Sequence, residues 1–165
     1  MATLILSIGT NLGNRHKNLT DAIAQIAQHI GTCLAQSPFY QSTPWGFESD
    51  NLFLNGIVII DTTLTANDVL TVTQNIEKNI GRKAKTSGHY ADRIIDIDLI
   101  DYAGIVLTTD TLTLPHPRMH QRNFVLKPLC DVAPNWLHPV LKQTAKELLT
   151  NSPDTSELVA EADAR

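Results

Sequence analysis

The sequence predicts an α+β fold, a ferredoxin-like α/β sandwich with a βαββαβ core, one antiparallel sheet and extra C-terminal helices. Three observations predict it. Strand-length apolar runs and two helix-period stretches follow one another as strand, helix, strand, strand, helix, strand. A chain of 165 residues with 42% hydrophobic and 18% charged residues suits one buried core rather than two. No repeat at a solenoid period competes with this reading. We expect a single domain over residues 1–152 and a poorly ordered tail over 153–165, PDTSELVAEADAR from Pro153 onward.

The elements are justified in order. TLILSI (3–8) is a strand-like run that ends at Gly9 before the turn-rich GTNLGN. Leu19, Ile23, Ile26 and Ile30 then trace one apolar helical face, with Gly31 as its stop. TCLAQSPFYQS (32–42) reads as a second strand interrupted by Pro38, and TPWGFESDN (43–51) as a loop. LFLNGIVIIDT (52–62) is the clearest strand, with Phe53, Asn55, Ile57 and Ile59 on one face and Leu54, Val58 and Ile60 on the other. Thr65 and Asp68 have the spacing of a helix-capping pair, and Val69, Val72, Ile76 and Ile80 follow as a helix ended by Gly81. GRKAKTSGHYADR (81–93) predicts a mobile loop. After the strand DRIIDIDLID (92–101), a tight turn, short strands and a proline-rich loop are expected, then helices near 121–131 and 141–150.

Composition narrows the function. The net charge of −4 and the absence of a long basic run argue against general nucleic-acid binding. Cys33 and Cys130 are the only cysteines, which points to two reduced thiols rather than a disulfide framework or a cysteine-rich zinc site. The N-terminal MATLILSIGTNLGNR lacks the features of a leader, and no stretch approaches membrane-spanning length. We expect a soluble, cytoplasmic monomer that engages neither membrane nor nucleic acid.

DRIIDIDLID raises the chemical question. Side chains alternate along a strand, so Asp96 and Asp98 share one side, roughly 6.6 Å apart at the backbone, and Ile95, Ile97 and Leu99 take the other. Carboxylates on a covered sheet face require cations, hydrogen-bond donors or an open cleft. Arg82, Lys83, Lys85, His89 and Arg93 precede the pair, and His116, Arg118, His120 and Arg122 follow it. Acids on a rigid strand between two basic loops suit phosphoryl transfer, in which carboxylates hold magnesium, the metal bridges phosphate oxygens and cations neutralise the remainder. Each feature alone has a plainer reading: the acid pair as a solvated or edge-protecting face, the arginines as surface cations, Phe53 and Phe124 as core. Asn55, an amide inside an apolar strand, needs hydrogen-bond partners if buried. A metal-dependent nuclease and a non-catalytic binding module are the competing classes. The acidic net charge disfavours the first, and the arginine-rich loop disfavours the second.

The joint pattern resembles the 6-hydroxymethyl-7,8-dihydropterin pyrophosphokinase family over roughly residues 3–140. The resemblance rests on SIGTNLGNR (7–15), FYQSTPWG (39–46), FLNGIV (53–58), IEKNIGR (76–82), HYADRIIDIDLI (89–100) and LTLPHPRMHQRNFVLKPL (112–129). It implies diphosphate transfer from ATP to the hydroxymethyl group of the pterin in folate biosynthesis, with AMP leaving. It implies two magnesium ions on Asp96 and Asp98, and Arg82 and Arg93 acting on the transferring group. His116 and Arg122 would contact nucleotide phosphates, and Gln74 and Glu77 would line the nucleotide region. Phe53 and Phe124 would sandwich the pterin ring, while Asn55 and the backbone of Ser42, Thr43, Pro44 and Trp45 bond its edge. The aromatic–amide set suits a flat heterocycle on physical grounds as well. Direct in-line attack by the pterin hydroxyl on the β-phosphorus is the expected mechanism, with loop 82–93 closing over ATP and Asp98 the nearest candidate for a general base. Three positions depart from the family pattern: Asp92 stands where a small uncharged residue is common, Ile94 replaces a frequent Thr, and Pro117 stands where an aromatic can follow the histidine. These departures bear on loop closure and adenine packing.

Overall fold

The computed structural model describes residues 1–43, 51–81 and 92–161. The apolar run at the N-terminus becomes β1 (Ala2–Thr10), an interior strand buried continuously from Leu4 to Thr10. Asn14 caps α1 (Arg15–His29) by accepting a hydrogen bond from Lys17 N. The chain returns as β2 (Gly31–Gln36) and β3 (Tyr40–Ser42), both antiparallel to β4 (Phe53–Thr62). Pro38 divides the second strand as its missing N–H requires. Ser37 spans the break: its N–H donates to Ile57 O and its Oγ accepts from Ile57 N, each at 2.9 Å.

Thr65 caps α2 (Ala66–Ile80) by accepting from Asp68 N. Gly81 ends the helix in the left-handed region, φ 117°, where a side chain would be strained. β5 (Asp96–Tyr102) pairs antiparallel with β1 and forms one edge of the sheet. The hairpin of β6 (Leu107–Thr108) and β7 (Thr113–Leu114) follows, then a 3-10 turn at Met119–Gln121, α3 (Asn123–Val132), α4 (Ala145–Thr150) and β8 (Val159–Ala160). The sheet order is β5-β1-β4-β3-β8, with β2 continuing the β3 side against β4.

Strand alternation distributes this sheet between two apolar layers. Leu4, Leu6, Ile8, Val58, Ile60, Ile95, Ile97 and Leu99 pack with Leu19 and Ile26 of α1 and Val69 and Ile76 of α2. Ile5, Ile57 and Ile100 pack on the other side with Val125, Leu126 and Leu129 of α3 and Leu148 of α4. Asp96 and Asp98 share the second face with Ile100, as the period of two requires. No helix among the described residues is long and apolar enough to cross a membrane.

Two sequence expectations are corrected. The aspartate strand begins at Asp96 rather than 92, because Asn11 holds residue 93 in a loop: Arg93 N donates to Asn11 Oδ1 at 2.6 Å and Asn11 N to Arg93 O at 2.9 Å. The helix expected at 141–150 starts at Ala145, since Val140 and Leu141 N–H groups donate to His138 Nδ1 and Thr144 forms a full capping box with Glu147. Within the tail expected to be poorly ordered, β8 pairs with β3 and Asp154 binds the start of α3, while residues 162–165 lie outside the described residues.

Candidate active site

Two adjacent rows of the sheet build the centre of the site. Cα register aligns Tyr40, Asn55, Gly9 and Asp96 across β3, β4, β1 and β5, and the next row aligns Ile57, Ser7 and Asp98. Asn55 and Asp96 therefore stand two strands apart, roughly 10 Å, with only a glycine between them. Asn55 is buried, and its partner is Ser42, whose Oγ accepts from Asn55 Nδ2 at 2.9 Å. That bond satisfies the amide that the sequence left in question. Phe53 is half-buried one pair further along β4, opposite Ser42.

Asp96 and Asp98 are half-buried. Arg93 Nη1 lies 3.3 Å from Asp96 Oδ1, so the loop arginine supplies one cation that the carboxylate pair requires. Asp98 opens onto a cavity of about 600 Å³ along the outer edge of β5, also lined by Gln74, Glu77, Thr111, Thr113 and His116. The buried Glu77 crosses to this edge, where its Oε2 accepts from Ile97 N at 2.8 Å. Glu77 thus holds α2 to β5 as well as lining the cavity. His116 N donates to Ile100 O at 2.9 Å, which docks the proline-rich loop on the same edge. His116 Nδ1 accepts from Arg118 N at 3.1 Å, which orients the ring within this loop.

Asp101, the third acid of the strand, belongs elsewhere. It is buried, and its Oδ2 accepts from Gly104 N at 3.1 Å in the turn after β5, where Ala103 and Gly104 both have positive φ. Burial pushes its carboxyl up, against the opposing donation from Gly104.

At the start of α3, Arg122 is buried with its guanidinium carbon 5.6 Å from the Phe124 ring centroid. Phe124 itself is half-buried at the margin of the α3–α4 layer. Asp92, one of the three positions expected to depart from the family pattern, accepts from Asn11 Nδ2 at 2.7 Å and from Asn51 Nδ2 at 3.0 Å. It joins the β1–α1 turn to the chain just before β4. Arg82, Pro44, Trp45 and the expected mobile loop with Lys83, Lys85, His89 and Tyr90 lie outside the described residues, and Thr43 is the last described residue before the first gap.

Sequence reasoning missed Gly9 as part of the site, although SIGTNLGNR was singled out; its signal was a glycine closing an apolar strand. It also missed Thr111 and Thr113, whose signal was the threonine-rich TTDTLT ahead of the histidine loop.

The family model for 7,8-dihydro-6-hydroxymethylpterin-pyrophosphokinase matches residues 5–134. The chain belongs to this pyrophosphokinase family. It is accordingly a transferase of folate biosynthesis. A relative from Porphyromonas gingivalis named 2-amino-4-hydroxy-6-hydroxymethyldihydropteridine pyrophosphokinase is 46% identical over 141 residues, covering 84% of this chain and 95% of the relative. A protein of the same name from Aquifex aeolicus is 34% identical over 147 residues, covering 89% of this chain and 90% of its own. In fold, the pyrophosphokinase chain is similar to Plasmodium falciparum HPPK-DHPS, with a TM-score of 0.73 at 17% identity. That likeness covers 91% of this chain and 43% of the longer one.

Proposed function

We propose that this pyrophosphokinase transfers the terminal diphosphate of ATP to the hydroxymethyl group of 6-hydroxymethyl-7,8-dihydropterin and releases AMP. The observation that carries this reading is the row Asn55–Gly9–Asp96, a pterin-type amide and a phosphate-side carboxylate on one rigid face beside a nucleotide-sized cavity. The cavity runs along an edge strand, whose outward backbone groups can read a purine edge while Gln74 and Thr113 close its sides. The phosphates then extend over β5 toward Arg93, His116 and Arg122. Arg82 would join them from the loop.

Asp96 and Asp98 fit magnesium: they are hard oxygen donors on one face of one strand, and a magnesium shell with few carboxylates is completed by phosphates and water. Asp96 and Asp98 would hold the two magnesium ions that we assign to the site with ATP, and the positive charge so supplied would offset the charge that grows on the phosphates during transfer. Arg93 is preorganised by Asn11 and can exchange Asp96 for a phosphate oxygen. Asn55 and Ser42 orient the pterin edge, with Thr43, Pro44 and Trp45 contributing backbone groups. Phe53 and Phe124 hold its faces, which aims the hydroxyl along the row toward the β-phosphorus.

The finer fold assignment, a ferredoxin-like βαββαβ sandwich with added C-terminal helices, is supported by the sheet order and by α1 and α2 sharing one face. We place one catalytic domain in residues 1–152, with β8 of the following segment added to its sheet, and assign a monomeric, cytoplasmic enzyme. Incubation with ATP, magnesium and the pterin alcohol should release AMP in step with pterin diphosphate. AMP release that ignores the pterin would overturn the reading.

A further inference from the structure

We propose that residues 153–161 form a strap that positions the active site, with Asp154 as its positioning residue. This inference rests on the assignment of Arg122 and Phe124 to the two substrates. The strap lies beyond residues 5–134, the part of the chain that matches the family.

The start of α3 needs an outside acceptor. Its N-cap residue is Arg122, whose side chain makes no capping hydrogen bond, yet the first-turn N–H groups of a helix have no partner within it. Asp154 supplies one from 31 residues downstream: Asn123 N donates to Asp154 Oδ2 at 2.8 Å. The contact is reciprocal, because Asn123 Nδ2 donates to Asp154 O at 3.0 Å. The Asp154 carboxylate is itself held, since Oδ1 accepts from Ser156 N at 2.8 Å and Asp154 N donates to Ser152 Oγ at 3.2 Å. A negative charge at this helix end also opposes the positive pole of the macrodipole.

Asn123 sits between the two residues that matter. Arg122 and Phe124 stack on each other, so fixing the peptide between them fixes both the phosphate-side cation and the pterin-side ring. The far end of the strap reaches the other wall of the pterin site. Val159 and Ala160 pair with Gln41 and Tyr40, and Glu161 N donates to Phe39 O at 2.9 Å. The strand so covered, β3, carries Ser42, the partner of Asn55. One segment therefore braces α3 and β3 together across the pterin site.

The test uses the full chain with Asp154→Ala, Asp154→Asn and, as a control on the exposed surface of the strap, Thr155→Ala. Calorimetric titration with the pterin alcohol, in the presence of magnesium and a non-hydrolysable ATP analogue, is read well below each melting temperature. Asp154→Ala should weaken pterin binding on the order of fivefold, the factor carried by a lost helix cap, and raise KM for both substrates more than it lowers kcat. Asp154→Asn, which keeps an acceptor oxygen, should recover most of the affinity, and Thr155→Ala should match the parent protein. Affinities of Asp154→Ala within twofold of the parent, with or without a lower melting temperature, would overturn the strap and leave the site assignment standing. Absence of pterin binding by the parent protein would instead overturn the site assignment, and the strap with it.

Discussion

Gly9 and Asn55 face each other across β1 and β4, and a Cβ added at Gly9 would come within 2.5 Å of Asn55 Oδ1. The amide lies flat over the neighbouring strand because that strand has no side chain there. Its Nδ2 is committed to Ser42, so the oxygen cannot swing away without breaking a buried hydrogen bond.

Gly9→Ala should therefore keep the fold and lose pterin. The displaced amide forfeits a hydrogen bond of about 1 kcal/mol, so an affinity loss of at least fivefold is expected. Titration of the variant with the pterin alcohol checks it. Unchanged affinity would remove the Gly9–Asn55 relation from recognition.

Phe124→Ala should weaken pterin binding several-fold, from a stacking contribution of roughly 0.5–1.5 kcal/mol beyond burial. Because Arg122 rests on the same ring, nucleotide affinity should also fall, by about 0.5–1 kcal/mol. Separate titrations with the pterin and with magnesium and an ATP analogue resolve the two effects. A nucleotide loss larger than the pterin loss would contradict the assignment of the ring.

Much of this was legible in the sequence, for identifiable reasons. The period of two put Asp96 and Asp98 on one side, Pro38 marked the break between β2 and β3, and Gly81 marked the end of α2, because each is a local effect of backbone geometry. What stayed hidden depends on partners distant in the chain. β8 pairs with a strand more than a hundred residues earlier, and nothing in the polar tail around Asp154 names Asn123 as its target. Glu77 read as a nucleotide-side acid, but only the packed helix brings its carboxylate to Ile97 N. The start of α4 was legible and overlooked: Thr144 and Glu147 have capping-box spacing.

Asp92 links two segments beside Arg93, the turn after β1 and the chain before β4. Asp92→Ala removes the shared acceptor of Asn11 and Asn51, and should cost about 1 kcal/mol of stability while raising KM for ATP through Arg93. A double-mutant cycle with Asn11→Ala should show coupling, since the two residues act on one loop. Strict additivity in both stability and KM would refute the link.

Tyr40 ties the sheet to α3 through a hydrogen bond from its hydroxyl to Asp131 Oδ2. Burial, and then the bond and charge of Asp131, push the phenol from 10.0 up to about 12. A pKa raised on folding means that the protonated form stabilises the native state. That stability is complete below about pH 10 and disappears as pH rises from 10 to 12. Tyr40→Phe should cost about 1–3 kcal/mol at pH 7 and show a shallower alkaline decline in urea titrations. Parallel pH profiles for the two proteins would rule out the contribution.

The central claim is that Asp96 and Asp98 stand in an apolar strand to act on the phosphates of ATP, with Arg93 holding Asp96 until they arrive. The direct measurement is the turnover of Asp96→Asn and Asp98→Asn at saturating magnesium and ATP, with melting temperatures taken without metal. Both variants should remain folded. Turnover should fall a hundredfold or more, on the order of 3–4 kcal/mol by analogy with removal of a transition-state hydrogen-bond donor. Near-normal turnover with a lowered melting temperature in either variant would contradict the claim and make that carboxylate a structural group.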